Sequence, residues 1–292
     1  MPDKDTAVLF PGQGSQTDDM RERVERDAPE LLEAALEAVG GEDPFARADE
    51  STRFAQPAIY CASMAGWAQL SQIGVGGLKY FAGHSMGELA ALAAAGSVSP
   101  AEGLRLVALR GELMATAAEK AGGGGMMALV GGDGADFAHE LSSKHDLSVA
   151  NDNAPDQVVV SGDGDKLDAA AEDAKEAGVR AVRLSVAGAF HSPLVAEARE
   201  SFAEALAEVE FAEPSVPVFS GVTAEPFDDI PRRLAEGITS PVRWREVLLA
   251  LREEGVERYV EAGPGKVLTA LVKKTLDDVE ALVADKLEGA HA

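Results

Sequence analysis

FAGHSMGELAAL, residues 81–92, places a serine between two glycines where an apolar strand pattern gives way to an alanine-rich helix pattern. The residues Gly83 to Gly87 fit G-x-S-x-G. In that pattern a tight strand-to-helix turn lifts the serine Oγ above the sheet, and the glycines let strand and helix approach closely. The N–H of the next residue, Met86, then points to where an oxyanion would form. The stretch predicts a nucleophilic Ser85, with a plain glycine-bounded turn as the alternative.

Strand and helix patterns alternate on both sides of this stretch. Apolar β-prone runs predict strands at 6–10, 78–82, 217–222 and 256–261. Helical patterns predict helices at 18–39, 56–73, 89–95, 100–120 and 266–276. Ser99-Pro100-Ala101-Glu102 has the form of a capping box with proline at the first helical position. The alternation predicts an α/β fold with a parallel sheet that is covered on both faces.

The composition changes at GGGG, residues 122–125, which predicts a hinge. The six elements that follow are expected at 126–130, 135–144, 147–150, 157–161, 166–177 and 179–186. Their order, βαββαβ, is that of a ferredoxin-like domain. We therefore predict a catalytic domain at 1–122 and 190–292, interrupted by a ferredoxin-like insert at 123–189.

The charge of the chain limits its partners. Of 292 residues, 50 are Asp or Glu and 26 are Lys or Arg, which gives a formal net charge of −24. Such a surface repels nucleic acid and anionic membranes, so an anionic partner must meet a locally basic patch. The single cysteine, Cys61, allows no disulfide framework within the chain, and the N-terminus has no signal-peptide pattern. We expect a cytoplasmic protein that binds neither nucleic acid nor membrane.

A serine nucleophile needs a base. The chain has five histidines. We expect a packing role for His84, which lies beside the serine. His139 and His145, near a polar helix, are expected to be exposed to solvent, and His291, in the tail, is expected to have no site role. The remaining His191, where the chain leaves the predicted insert, is the candidate base by elimination, and a loop histidine without function is the alternative. No motif singles out an acidic residue to orient it, and a backbone carbonyl can do so instead.

Arg110 is the candidate for binding a substrate carboxylate. Its neighbours one helical turn away are apolar, so it has no carboxylate partner on its own helix and must find an anion elsewhere. The guanidinium suits bidentate carboxylate binding. The alternatives are a side chain that extends to solvent or an ion pair with another segment.

The loop PGQGSQ, residues 11–16, lacks both G-x-G-x-x-G and the Walker lysine. A glutamine in a glycine-rich loop at the end of a strand can instead supply a second oxyanion N–H.

Together these motifs resemble those of malonyl-CoA:acyl carrier protein transacylases, the acyltransferases of fatty acid and polyketide synthesis. The matches run in family order over nearly the whole chain: FPGQGSQ (10–16), AQPA (55–58), GHSMGE (83–88), LRGELM (109–114), VANDNAPDQVVVSG (149–162), GAFHS (188–192), SPVRW (240–244) and EAGPGKVL (261–268). The resemblance implies an α/β-hydrolase-like large domain with a ferredoxin-like insert.

The resemblance also implies a role for each matching residue. Ser85 would be the acylated nucleophile and His191 its base. Arg110 would bind the malonyl carboxylate, while the backbone N–H groups of Gln13 and Met86 would stabilise the oxyanion.

Further matches concern the pocket walls and the histidine. Gln56 matches a glutamine of the malonyl pocket, and Asn151 and Asn153 match a loop beside the active site. Phe190 resembles the malonyl-selective pattern, because its ring would crowd a branch methyl. Gly237 stands where family members commonly carry a glutamine whose carbonyl orients the histidine. A carbonyl survives this departure, but glycine loosens the backbone.

The resemblance implies a ping-pong transfer of malonyl from malonyl-CoA to the phosphopantetheine thiol of an acyl carrier protein, by a stand-alone monomeric enzyme without metal or other cofactor. We expect the carrier to meet a basic patch drawn from six residues: Arg180, Arg183, Arg243, Arg245, Lys273 and Lys274. A serine acyl-thioesterase or hydrolase is one alternative, although Arg110 would have no purpose for neutral acyl chains. A non-catalytic docking subunit of a synthase is the other.

Overall fold

The computed structural model describes residues 4–131, 134–186 and 188–284. In chain order the elements are β1 (Thr6–Phe10), α1 (Met20–Asp27), α2 (Glu30–Ala38), α3 (Thr52–Ile73), β2 (Leu78–Gly83), α4 (Gly87–Ala94), α5 (Pro100–Lys120), β3 (Gly125–Val130), α6 (Gly134–His145), β4 (Ser148–Ala154), β5 (Gln157–Gly162), α7 (Gly164–Glu176), β6 (Arg180–Arg183), a 3-10 turn (Pro193–Val195), α8 (Ala196–Ala207), β7 (Val218–Phe219), α9 (Ile230–Glu236), α10 (Trp244–Glu253), β8 (Arg258–Glu261), α11 (Val267–Thr275) and β9 (Glu280–Val283).

A five-stranded parallel sheet carries the serine turn. Its strand order is β7-β2-β1-β8-β9. Phe10 at the end of β1 lies opposite Gly83 at the end of β2, so the loops that follow both strands leave the same edge of the sheet. All five residues of β1 are buried, as expected for a strand covered on both faces. The predicted α/β class with a parallel sheet is confirmed.

A second sheet is antiparallel, with the order β4-β5-β3-β6. The helices α6 and α7 pack on it around a separate apolar core that includes Met127, Leu129 and Val160. This βαββαβ arrangement confirms the predicted ferredoxin-like topology. Gly122, Gly123 and Gly124 precede it with positive φ angles, which only glycine adopts readily. The domain boundaries at 122/123 and 189/190 stay a prediction.

Strand β4 joins the second sheet to the segment before α10. The Asp152 N–H donates to the Val242 carbonyl, and the Val242 N–H donates to the Ala150 carbonyl, both at 2.9 Å. The Arg245 guanidinium forms an ion pair with the Asp152 carboxylate, with an N–O distance of 2.6 Å. β4 therefore forms hydrogen bonds both with its own sheet and with the segment before α10.

Two predicted helix boundaries were wrong. The pattern at 18–39 forms two helices, because Pro29 disfavours helical backbone at Ala28, which has φ −150°. Helix α3 begins at Thr52 rather than at Gln56, because the Ser51 side chain accepts the Arg53 N–H and caps it one turn earlier. Pro57 therefore lies inside the helix.

Other elements differ in length or were not predicted. β6 and β7 are shorter than the predicted 179–186 and 217–222, and β4 continues to Ala154, so Asn151 and Asn153 lie on a strand instead of a loop. The unpredicted elements are α8, α9, α10 and β9. For α8 the spacing of its buried Ala198, Phe202 and Leu206 is the signal that identifies the helix.

Within the described ranges, no helix has both the length and the apolar character that crossing a membrane requires. The same ranges hold no group of three or more His, Cys, Asp or Glu side chains placed to bind a metal ion. The expectation that no metal or other cofactor is used stays a prediction. Cys61 is a free thiol, and its burial raises its pKa.

Candidate active site

Ser85 lies on a sharp turn between β2 and α4. Its φ angle is +52°, in a region that non-glycine residues rarely occupy. The turn is tight: a Cβ atom at Gly83 would lie 2.1 Å from the Glu88 nitrogen, and one at Gly87 would lie 2.2 Å from the Phe10 carbonyl oxygen. Side chains at these glycines would force the backbone segments apart. The geometry is the strand-to-helix turn that the G-x-S-x-G pattern predicts.

The Ser85 hydroxyl and the His191 imidazole form a hydrogen bond, with an Oγ–Nε2 distance of 2.9 Å. The other ring nitrogen, Nδ1, lies 2.8 Å from the Gly237 carbonyl oxygen and 3.1 Å from that of Ser240. Carbonyls only accept, so Nδ1 carries the proton and Nε2 accepts the serine hydroxyl. Gly237 lies where the sequence placed the histidine-orienting carbonyl. The contact with Ser240 was not predicted from the sequence.

His191 itself is buried, with 5% of its surface exposed, and its φ angle is +55°. Burial lowers the pKa of its imidazole to about 3, and the nearby Arg110 and His84 act in the same direction. The two carbonyls at Nδ1 oppose this shift. The imidazole is therefore neutral near pH 7, which is the form that can accept a proton.

Arg110 approaches the serine from α5. One guanidinium nitrogen, Nη2, donates to the Ser85 Oγ at 3.1 Å, and the other, Nη1, donates to the Gln56 Oε1 at 2.9 Å. The side chain is buried, yet among the described residues no carboxylate oxygen lies within 4.0 Å of it. Burial lowers the pKa of Arg110 to about 10, and Glu88 partly offsets this, so the group stays charged near neutral pH. A buried cation without a paired anion can receive the carboxylate of a ligand.

Gln13 and Met86 lie at the two loops that leave the sheet edge, and both line the cavity above Ser85. Neither backbone N–H donates a hydrogen bond to another described residue. The loops touch closely, because a Cβ atom at Gly12 would lie 2.6 Å from the His84 carbonyl oxygen. Both N–H groups are thus available to a ligand, as the predicted oxyanion role requires.

The cavity has walls from both sheets. Phe190 lines it and is 5% exposed, and Gln56 lines it from α3. Residues from the predicted insert complete the wall: Met126, Asn151, Leu184 and Val186. The structure therefore brings together all the predicted substrate-binding residues.

The other described histidines differ in their surroundings. The His84 Nε2 lies 2.8 Å from the Asn153 Oδ1, and its ring packs edge-on against Trp244, in keeping with its expected packing role. His139 is exposed, as predicted. His145 was wrongly expected in solvent, because its side chain is 15% exposed and hydrogen-bonds Asp173. His291 lies outside the described residues.

Glu88 is a second residue near Ser85 that was not predicted from the sequence. Its carboxylate is buried and accepts the Gly221 N–H at 2.6 Å. Burial raises the pKa of Glu88 to about 7, against the lowering effect of the Gly221 N–H and of Arg110. The motif GHSMGE contains this residue, but its partner lies 133 positions later in the chain.

Residues 8–290 match the family described as the acyl transferase domain. The chain belongs to the acyl transferase family. This acyltransferase is 38% identical over 287 residues to the malonyl CoA-acyl carrier protein transacylase of Synechocystis sp., with 94% of each chain covered. It is 39% identical over 282 residues to the polyketide biosynthesis protein ThaF of Burkholderia thailandensis, covering 92% of this chain and 24% of that protein.

The fold of the acyltransferase agrees with that of a solved relative. The crystal structure of malonyl-CoA:acyl carrier protein transacylase from Xanthomonas oryzae pv. oryzae has a TM-score of 0.90 and 33% sequence identity with it. The similarity covers 99% of this chain and 98% of that one. The family resemblance expected from the sequence is confirmed.

Proposed function

We propose that this acyltransferase moves a malonyl group from malonyl-CoA to the phosphopantetheine thiol of an acyl carrier protein, through an ester on Ser85. The contact that carries this proposal is the one between Arg110 and Ser85, at 3.1 Å. A buried guanidinium at that distance suits an acyl group whose far end is a carboxylate. The relatives named as malonyl CoA-acyl carrier protein transacylases support the same substrate, and the relative named as a polyketide biosynthesis protein supports a role in fatty acid or polyketide synthesis.

In the first half-reaction, the Ser85 hydroxyl gives its proton to the His191 Nε2 as its oxygen bonds to the thioester carbonyl carbon. The carbonyl π electrons move to oxygen, where the N–H groups of Gln13 and Met86 stabilise the negative charge. The C–S bond then breaks. The sulfur takes the proton from His191 and leaves as the CoA thiol, with the malonyl group esterified to Ser85.

The second half-reaction reverses these roles. The phosphopantetheine thiol gives its proton to His191, and its sulfur bonds to the ester carbonyl carbon. The ester C–O bond breaks, and the Ser85 oxygen takes the proton back. Throughout, Arg110 holds the malonyl carboxylate, Gln56 orients Arg110, and the Phe190 ring limits the space for a branched acyl group.

The experiment that tests this function is intact-protein mass spectrometry after brief exposure to malonyl-CoA. We expect one malonyl adduct per chain, which disappears when phosphopantetheinylated carrier protein is added and reappears on the carrier. Release of free malonate without an adduct or a loaded carrier would identify a hydrolase. Neither adduct nor turnover would favour the docking-subunit alternative.

We expect the acylation rate to lack the acidic inflection that a histidine of ordinary pKa produces. The lowered pKa of His191, about 3, keeps the base neutral down to about pH 5. Two other buried titratable groups lie near Ser85: burial raises the pKa of Glu88 to about 7 and lowers the pKa of His84, so the measurement uses Glu88→Gln to remove the carboxyl group. Single-turnover acylation of that variant should be flat from about pH 8 to about pH 5. A decline of about tenfold per pH unit below pH 6.5 would contradict the lowered pKa.

The carrier-docking patch becomes smaller when ion pairs are considered. Four of its six predicted cations lie near carboxylates of the chain: Arg183, Arg243, Arg245 and Lys274. Arg180 and Lys273 are exposed and form no ion pair with another described residue. Arg180 is the first residue of β6, at the end of the strand away from Leu184 and the cavity, and Lys273 lies on α11. We propose that the carrier contacts these two residues. We also propose that the enzyme is a cytoplasmic monomer.

Reversing both charges tests this contact. In the double variant Arg180→Glu and Lys273→Glu, transfer to the carrier should slow about tenfold at low salt. The reason is that these two cations would no longer attract an anionic carrier. Self-acylation by malonyl-CoA should be unchanged. Lys175→Glu, an exposed reversal on α7, is the matched control. Equal slowing of both half-reactions in the double variant, or of carrier transfer in the control, would contradict the assignment.

A further inference from the structure

A chain of buried hydrogen bonds connects the candidate carboxylate site to the candidate oxyanion site. The Arg110 Nη1 donates to the Gln56 Oε1 at 2.9 Å, and the Gln56 Nε2 donates to the Thr52 Oγ1 at 2.9 Å. The Thr52 hydroxyl in turn donates to the Gln13 Oε1 at 2.8 Å. Three of the four residues are buried, with exposed fractions of 5% for Arg110, 1% for Gln56 and 5% for Thr52.

Every bond in this chain runs in the same direction, from the guanidinium to Gln13. A hydroxyl that accepts one hydrogen bond and donates another in a row of this kind is polarised by its neighbours. Its orientation is also fixed, because the hydroxyl oxygen accepts a hydrogen bond from Gln56 and the hydroxyl proton is donated to Gln13. The Thr52 hydroxyl is therefore a rigid link between the two glutamines.

Helix capping does not explain the Thr52 hydroxyl. Thr52 is the first residue of α3, but the cap is Ser51, whose side chain accepts the Arg53 N–H. The Thr52 backbone is held by close packing, since a Cβ atom at Gly111 of α5 would lie 2.7 Å from the Thr52 carbonyl oxygen. The hydroxyl thus stands on a fixed backbone and points to Gln13.

We propose that Thr52 is a positioning residue for acyl transfer: its hydroxyl holds the Gln13 side chain and thereby aims the Gln13 backbone N–H at the developing oxyanion. The proposal rests on the proposed function, because it assigns Thr52 a part in that reaction. Without the hydroxyl, Gln13 and Gln56 would each lose a buried partner. The glycine-rich loop that carries Gln13 would then have more freedom at the moment of reaction.

The test compares Thr52→Val, which removes the hydroxyl at nearly constant shape, with Thr52→Ser, which keeps it. Rapid-quench mass spectrometry with malonyl-CoA gives both the rate constant of Ser85 acylation and the fraction of chains acylated. For Thr52→Val we expect a rate constant about 10- to 100-fold lower with a full final amplitude, since loss of a whole oxyanion donor costs about 100- to 1,000-fold. Thr52→Ser should stay within about threefold of wild type.

A matched control separates this effect from the loss of any buried threonine hydroxyl. The Thr275 hydroxyl, on α11, is buried and has no hydrogen-bond partner among the described residues, so Thr275→Val should acylate at the wild-type rate. Gln13→Ala removes the acceptor of the Thr52 hydroxyl and keeps the backbone N–H. It should slow acylation as Thr52→Val does, and the double variant should be no slower than the slower single variant.

Three results would overturn the proposal: a wild-type rate constant in Thr52→Val, a loss of amplitude at an unchanged rate constant, or a Thr52→Ser variant as slow as Thr52→Val. If Thr52→Val does not fold, Gln13→Ala and Thr52→Ser decide the matter, and a wild-type rate in Gln13→Ala overturns it. Failure of the proposed function looks different, because the wild-type chain itself would then form no malonyl adduct.

Discussion

Ser85→Ala should form no detectable malonyl adduct when it is mixed with malonyl-CoA. The Ser85 Oγ is the hydroxyl that hydrogen-bonds both the His191 Nε2, at 2.9 Å, and the Arg110 Nη2, at 3.1 Å. Removing a serine nucleophile of this kind lowers the rate about a millionfold, and alanine has no oxygen that could carry the malonyl ester. The measurement is intact-protein mass spectrometry with peptide mapping of the wild-type adduct.

The matched control is Ser63→Ala. The Ser63 hydroxyl is buried in α3 and has no hydrogen-bond partner among the described residues, so its removal should leave acylation unchanged. An adduct that persists in Ser85→Ala would place the ester on another residue. It would then remove the basis for the roles given to His191, Gln13 and Met86.

Arg110→Ala should lose malonyl selectivity and retain the acylation chemistry. Removing one partner of a buried ionic contact costs about 3–4 kcal/mol, which corresponds to about 100- to 1,000-fold in the rate of malonyl loading. Acetyl loading on Ser85 should not fall, because an acetyl group has no carboxylate for the guanidinium to bind. Competition between malonyl-CoA and acetyl-CoA, read by mass spectrometry, measures the change in selectivity.

Arg105→Ala is the control for this variant, because Arg105 lies on the same helix, is exposed and pairs with Glu102 at 2.5 Å. It should keep the wild-type preference for malonyl. If Arg110→Ala also kept that preference, the carboxylate would bind elsewhere in the cavity. If Arg110→Ala lost malonyl and acetyl loading equally, the guanidinium would act on Ser85 itself through their 3.1 Å contact.

The features that the sequence predicted well depend on neighbouring residues. The turn at Ser85 is dictated by glycines two positions away on either side, and the start of α5 by Ser99 and Pro100, so both are readable locally. Arg110 could be singled out because helical spacing identifies its neighbours one turn away, and none of them is acidic. His191 required elimination, and the family resemblance supplied the roles of Gln13 and Gln56.

The features that the sequence did not reveal depend on contacts between distant segments. Glu88 meets Gly221, and the His191 ring meets Ser240, only after the sheet brings their loops together. Thr52 has no local signal, because its hydroxyl acts on Gln13, 39 positions earlier in the chain. His145 was misplaced for the same reason, since Asp173 comes from the other helix of the second sheet.

The hydrogen bonds of β4 to the segment before α10 make the pocket depend on both sheets. Asn151 lines the cavity from β4, Leu184 and Val186 line it just after β6, and Ser85 stands on the other sheet. A fragment that contains only one of the two sheets would lack part of the cavity wall. The second sheet is thus an integral part of the pocket. Exchanging it for the equivalent segment of a relative would change both acyl-group recognition and the hydrogen bond between Asp152 and Val242.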